Sequence, residues 1–245
     1  MIRKVPCKTR KTEYTFSVEK LEGMFTVPSV LPEFKPMSTE LSLRDGSKRT
    51  ILIRSIREEE VDPLAAYVKQ YTEVEYDFYD IVGARVFAEL LAIKRNRMKD
   101  QYFFIGLDDG VPIGIANGRL RDKEINISLH TMAFKRQVNA GAILFYSKCW
   151  YAFEVCGAHE FWATFESYNG WVLAGLNMGL PTYPWPQVQH ELGGAKVYVL
   201  YRDYWDLSIR DEYPEQVARA KLMPDAPADL IKRNETLRIP DNIET

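Results

Sequence analysis

Asn126–Leu144 reads NISLHTMAFKRQVNAGAIL, an alternating strand that runs into a short basic loop with a glycine and then into a helix. A helix beginning near Ala142 leaves its first backbone N–H groups without intrahelical partners and points the positive end of its dipole at the loop. Phosphate oxygens fit such a place. From Ala142 to Val155 the chain is apolar almost all round, with Ser147, Lys148 and Glu154 as its polar positions, which predicts a largely buried helix. Gly157 is its expected stop. Residues 160–165 follow as a short strand, and Ser167 or Asn169 caps a helix through Trp171, Val172, Leu173 and Leu176 to Gly179.

Upstream, two alternating runs, 40–43 and 50–54, flank Asp45-Gly46 as the arms of a hairpin. Acidic residues 58–60 open a helix that continues through Leu64, Ala65, Tyr67, Val68 and Tyr71, and a second helix runs from about Val82 to Arg97. Runs 102–107 and 111–118 form the next hairpin around Asp108-Asp109-Gly110. The strand at 160–165 should lie parallel to that at 126–134, because a crossover helix joins them. Downstream, Thr182–Pro186 reads as an irregular bridge. Residues 187–192 and 196–201 form a last hairpin around Gly193-Gly194, and a helix is expected at 215–222. The organisation expected is an extended, proline-bearing arm over 1–38, one α/β domain over 39–208, and a C-terminal tail with one short helix over 209–245.

The chain has 245 residues, and its 46% hydrophobic and 13% aromatic content is enough for a substantial core. Its 32 Lys plus Arg against 34 Asp plus Glu argue against a broad nucleic-acid footprint. The basic N-terminus is followed by no apolar run of a signal peptide, and no stretch is long enough to cross a membrane, so a cytoplasmic location is expected. Cys7, Cys149 and Cys156 are odd in number and spaced for no metal site, so free thiols are expected and no metal.

The spacing Arg136-x-x-Asn139-x-Gly141 resembles the Q/R-x-x-G-x-G/A pyrophosphate loop of the GCN5-related N-acetyltransferases (GNAT family), with Asn139 in place of the first glycine. Asn is the best substitute there, since it tolerates the left-handed conformation several-fold better than most residues. A second register, Gln137-x-x-Ala140-x-Ala142, fits less well because neither alanine supplies that conformation. The order of elements over roughly residues 50 to 205 is also similar to the GNAT core. The resemblance implies a central twisted, mostly antiparallel sheet with one parallel, splayed pair and helices on both faces. It further implies acetyl-CoA or another acyl-CoA as co-substrate. The pyrophosphate would lie on Arg136, Gln137, Val138, Asn139, Ala140, Gly141 and Ala142, and the pantetheine along Met132, Ala133 and Phe134, with Asn169 helping. A small-molecule amine would accept the acyl group, and a homodimer is compatible with the family.

The acceptor amine must lose a proton before or during attack, so a base is required. Strict alternation would put Asn126, Ser128 and His130 on one face of their strand, and His130 titrates nearest neutral pH, which makes it the first candidate. Glu166 and Glu124, at strand ends, come after it; His159 and His190 lie beside turns. Many relatives carry a tyrosine that protonates the departing thiolate, but Gly175 occupies that position, and Tyr168, Tyr146 or a water would have to substitute. The segment 71–80 mixes acids with aromatic residues, and Glu75, Tyr76, Asp77 and Tyr79 are what a cationic amine would need for ion pairing and cation–π contact. A protein that keeps the fold only to bind acyl-CoA or a partner is the alternative. So is aminoacyl transfer of the FemX type, which usually repeats the fold twice.

Overall fold

The computed structural model describes residues 31–42, 46–96, 100–136, 138–182, 196–216 and 220–243. Cys7, Asp45, Gln137, His190 and the expected turn at Gly193-Gly194 lie outside them, as do residues 1–30 of the arm and all of the 182–186 bridge except Thr182. Among the described residues eight strands form one sheet: β1 (Met37–Ser42), β2 (Lys48–Ser55), β3 (Gln101–Asp108), β4 (Val111–Leu120), β5 (Ile125–Ala133), β6 (Glu160–Thr164), β7 (Val197–Tyr201) and β8 (Ala220–Met223). Their order is β7-β6-β5-β4-β3-β2-β1-β8. Every neighbouring pair is antiparallel except β5 and β6, as a crossover helix between those two strands requires. The mixed sheet with one parallel pair is therefore as the sequence predicts.

Period-two alternation divides the core between the two faces of the sheet. Ile51, Ile53 and Phe104 point to the face covered by α3 (Ala140–Trp150), where they meet Ile143 and Leu144. Leu52, Phe103 and Ile105 point to the other face, under α1 (Val61–Gln70) and α2 (Tyr79–Lys94), and meet Leu64, Val68, Val86 and Leu90. Both faces are buried, so these strands read as near-continuous apolar runs rather than clean alternations. The acids 58–60 form a 3-10 turn that leads into α1. After Trp150, α3 passes into a π-helical turn (Tyr151–Val155), and Gly157, at φ 68°, turns the chain back toward β6. Asn139, just before α3, is left-handed at φ 51°, the conformation for which Asn can replace glycine.

The chain between Ser167 and Gly179 begins as α4 (Tyr168–Gly170), capped by Ser167, whose Oγ accepts from the Gly170 N–H at 2.9 Å, and continues as a π-helix (Trp171–Leu176). The short helices α5 (Arg202–Tyr204), α6 (Tyr213–Gln216) and α7 (Ala228–Arg233) complete the described chain. The tail departs from its expected form. Instead of one helix over 215–222, residues 220–223 are the edge strand β8, which pairs antiparallel with β1. An open β1 edge leaves a row of backbone groups to satisfy, and the tail supplies the partners. Leu230 of α7 then enters the core, and the buried Asn234 side chain accepts from the Gly110 N–H, so the tail belongs to the same body. At the other end Phe34 stacks on Phe104, with ring centroids 3.9 Å apart.

Candidate active site

The β5–β6 ladder holds only at Ile125↔Glu160, Asn126↔Phe161 and Ile127↔Trp162. Beyond it the two strands part: β4 keeps its side of β5, and β7 keeps its side of β6. The opening is a pocket of about 360 Å³. Ser128–Ala133 of β5 and residues 164–167, which end β6 and follow it, form its sides, and Gly141, Ala142 and Phe145 of α3 form its base. Asp77, Tyr79, Val82 and Arg85 supply one wall, and Asn169, Gly170, Leu173, Ala174 and Tyr213 complete the lining. The first intrahelical bond of α3 runs from the Ile143 N–H to the Asn139 carbonyl at 3.1 Å, so the N–H groups of 140–142 lie ahead of the helical ladder at the base of this opening. A Cβ added at Gly141 would meet nothing within 4 Å.

A bulge in β5 sets the chemistry of the pocket. Ala116 pairs with Thr131 but Gly118 pairs with Ser128, so Leu129 and His130 together face Asn117. The extra residue breaks the alternation. Ser128 stays on the α3 side, where its Oγ accepts from Lys148 Nζ at 2.6 Å, whereas His130 turns to the α2 side and puts Nε2 3.3 Å from Glu89 Oε1. The expectation that Asn126, Ser128 and His130 share a face is corrected accordingly. The carbonyls of Asn117 and His130, loosened from the ladder, both accept from Lys148 Nζ, at 3.3 and 3.0 Å. Asn117 completes the bracing: its Oδ1 accepts from the His130 N–H at 3.1 Å, and its Nδ2 donates to Glu89 Oε2. With the imidazole proton on Nε2 toward Glu89, the lone pair of Nδ1 remains available as a base. Lys148 is fully buried, and burial pulls its ammonium down to about pKa 7, against the opposing pull of Glu89.

The mixed sheet whose one parallel pair parts over a helix N-terminus has the layout that the sequence resemblance implies. No model of a known protein family matches the chain, and no curated protein matches it. Solved structures do. RimJ of Mycobacterium smegmatis, in complex with CoA-disulfide, is 12% identical with a TM-score of 0.49, over 78% of this chain and 99% of that one. The GNAT domain of S. lividans PAT is 14% identical with a TM-score of 0.47, over 67% and 96%. A probable GNAT-family acetyltransferase from Chromobacterium violaceum is 11% identical with a TM-score of 0.47, over 64% and 90%.

Within this pocket the expected residues separate into three groups. His130, Met132, Ala133, Gly141, Ala142, Asn169, Asp77 and Tyr79 all line it. Asn169 donates through Nδ2 to Asp77 Oδ2 at 2.8 Å, and the Tyr79 hydroxyl donates to the Ala133 carbonyl at 2.9 Å. Burial raises the Tyr79 hydroxyl above its usual range, against the opposing charge of Arg136. Glu166 also lines the pocket, with its carboxylate held by Arg85. The remainder lie outside. Phe134 leaves the strand and stacks on Tyr71, and Val138 and Ala140 are buried in the core under the loop. Arg136 lies over the exposed Tyr76 ring, 4.8 Å from its centroid, and Glu75 is exposed and does not line the opening. Tyr168 is 73% exposed, and the Tyr146 hydroxyl donates to the Arg210 carbonyl at 2.5 Å, so neither reaches the pocket. Glu124 sits at the far end of β5, 2.9 Å from His159.

At Gly175 an added Cβ would come within 2.9 Å of Trp171 and 3.1 Å of Phe165, which leaves no room for a tyrosine there. The two pocket tyrosines, Tyr79 and Tyr213, both spend their hydroxyl protons on backbone carbonyls. Sequence reasoning missed Glu89, Arg85, Lys148 and Tyr213. Glu89 carried a signal, as an acid within the apolar run 86–93, whereas Tyr213 reaches the pocket from a tail read as separate. Among the described residues no group of three metal-ligating side chains occurs, and no helix is long and apolar enough to cross a membrane.

Proposed function

We propose that the protein is an acyl-CoA-dependent N-acyltransferase that moves an acetyl or other short acyl group to the amine of a small molecule by direct attack in a ternary complex. The observation that carries this reading is the parting of β5 and β6 directly over the N-terminus of α3. A crevice with free strand edges suits the amide-bearing pantetheine arm, and the helix N-terminus at its base suits a pyrophosphate. Gly141 leaves room there for backbone N–H groups to approach phosphate oxygens. His130, aligned by Glu89, would take the proton from the acceptor ammonium. The freed lone pair then attacks the thioester carbonyl, the C–S bond breaks, and the departing thiolate takes up the second proton that the nitrogen sheds as the amide forms. A thiol pKa near 8.5 makes that departure tolerable without a tyrosine acid.

Titration calorimetry with acetyl-CoA on the wild type and on Gly141→Val tests the reading. Because a Cβ at 141 meets no neighbour, the variant should fold with an unchanged Tm, and its valine would fill only the space the phosphates need. Loss of acetyl-CoA binding in the folded variant is the expected result. Unchanged affinity would move the site elsewhere. Binding without thiol release toward any amine would favour the non-catalytic alternative.

A further inference from the structure

Four side chains lining the pocket can carry charge: Asp77, Arg85, His130 and Glu166. Arg85 is the one permanent cation among them. It reaches across from α2 to Glu166 on the β6 side and uses a single terminal nitrogen, Nη1, for both carboxylate oxygens, at 2.5 and 2.6 Å. Its Nη2 and Nε have no partner among the described residues. A guanidinium in that state has not completed the two-pronged grip that suits it to carboxylates. The pair is also partly open to water, with 42% of the Arg85 side chain and 24% of the Glu166 side chain exposed, so exchanging one carboxylate for another costs little.

The position along α2 gives this contact a meaning beyond bracing. Arg85 and Glu89 are four residues apart and therefore project from one face of the helix, about one turn from each other. Glu89 holds His130, the base of the proposed transfer. An acceptor whose amine faces His130 therefore has Arg85 about 6 Å farther along the same wall.

We propose that the acceptor carries a carboxylate a few bonds from its reacting amine, and that Arg85 binds that carboxylate while Glu166 holds the empty guanidinium in place until it arrives. The acceptor class is then amino acids and related amino acids with a longer spacing, not simple amines or polyamines. This inference rests on the N-acyltransferase reading for the identity of the second substrate. It does not rest on that reading for the binding of the carboxylate.

The test pairs each amino acid with the amine that lacks its carboxylate: phenylalanine with phenethylamine, and β-alanine with ethylamine. Thiol release from acetyl-CoA should favour the carboxylate member of at least one pair by about tenfold or more in kcat/KM, the value of one charge-assisted hydrogen bond. Arg85→Met should erase that preference through KM, with acetyl-CoA affinity unchanged by calorimetry, whereas Glu166→Gln, which loosens the competitor, should lower KM for the carboxylate acceptor. A separate arm titrates β-alanine and phenylalanine into wild type and Arg85→Met, each saturated with CoA, and reads binding without turnover. Binding lost in Arg85→Met supports the inference even if no amine is acylated, in which case the failure belongs to the transferase reading. Equal binding in the two proteins, no binding of either amino acid to the wild type, or a preference for the simple amine overturns it and leaves Arg85–Glu166 as a brace between the walls.

Discussion

His130 illustrates what one residue's sequence context can and cannot convey. The alternating strand and the imidazole were legible, but the face on which the ring lies was not, because the bulge that turns it is defined only against β4. Its partner Glu89 lies 41 residues upstream on another element, so no spacing rule joins them. The pair makes a prediction at this scale. His130→Ala should lower kcat by roughly 10²- to 10⁴-fold, as loss of an acid–base group does, and Glu89→Gln should lower it by about 10²-fold through misalignment of the ring. Steady-state kinetics at saturating acyl-CoA, with calorimetric acetyl-CoA affinity as the control, checks both. Because the two residues act as a unit, the double variant should be little worse than His130→Ala alone, and additive losses would separate them.

At the scale of the element, α3 is the part most fully readable from sequence and also the part that holds a surprise. Its apolar circumference, its glycine stop and the left-handed Asn139 before it all follow from local preferences. The burial of Lys148 does not, because it answers carbonyls that only the bulge exposes. A buried lysine held near pKa 7 is a stability statement with a definite sign. In the unfolded chain the same group titrates near 10.4, so between these values the unfolded state binds the additional proton and raising the pH favours the native state. Below pH 7 both states carry it and the contribution is flat. Burial raises the thiols of Cys149 and Cys156, the latter to about 11, which opposes the trend once unfolded thiols ionise near 8.5. Urea unfolding from pH 7 to 8.5 should therefore show the wild type gaining on Lys148→Met by up to about 1.4 kcal/mol per pH unit. The variant should be less stable throughout, since it strands the Asn117 and His130 carbonyls and the Ser128 hydroxyl at about 1–3 kcal/mol per buried group. A stability difference that does not change with pH would mean that Lys148 stays charged at every pH tested.

On the scale of the whole molecule, seven strands and their parallel step followed from short apolar or alternating runs between turn residues and from the crossover rule, while β8 did not. A four-residue strand has no periodicity to detect, and it forms only because the β1 edge is there to receive it. The same dependence on distant partners explains why the strand–loop–helix side of the pocket was readable and the facing walls only in part. One is built within a single strand–loop–helix segment, the other by α2, the 164–170 segment and Tyr213 converging from three parts of the chain. Hydrogen–deuterium exchange on the protein with and without acetyl-CoA distinguishes the β5–β6 crevice from any other acyl-CoA site, because the first-turn amides of α3 lie ahead of its ladder and should exchange freely without ligand. Slowed exchange at residues 140–142, together with 132–133 and 166–170, is the predicted result. No change at 140–142, or protection confined to another face of the sheet, would contradict the assignment of the β5–β6 crevice as the acyl-CoA site.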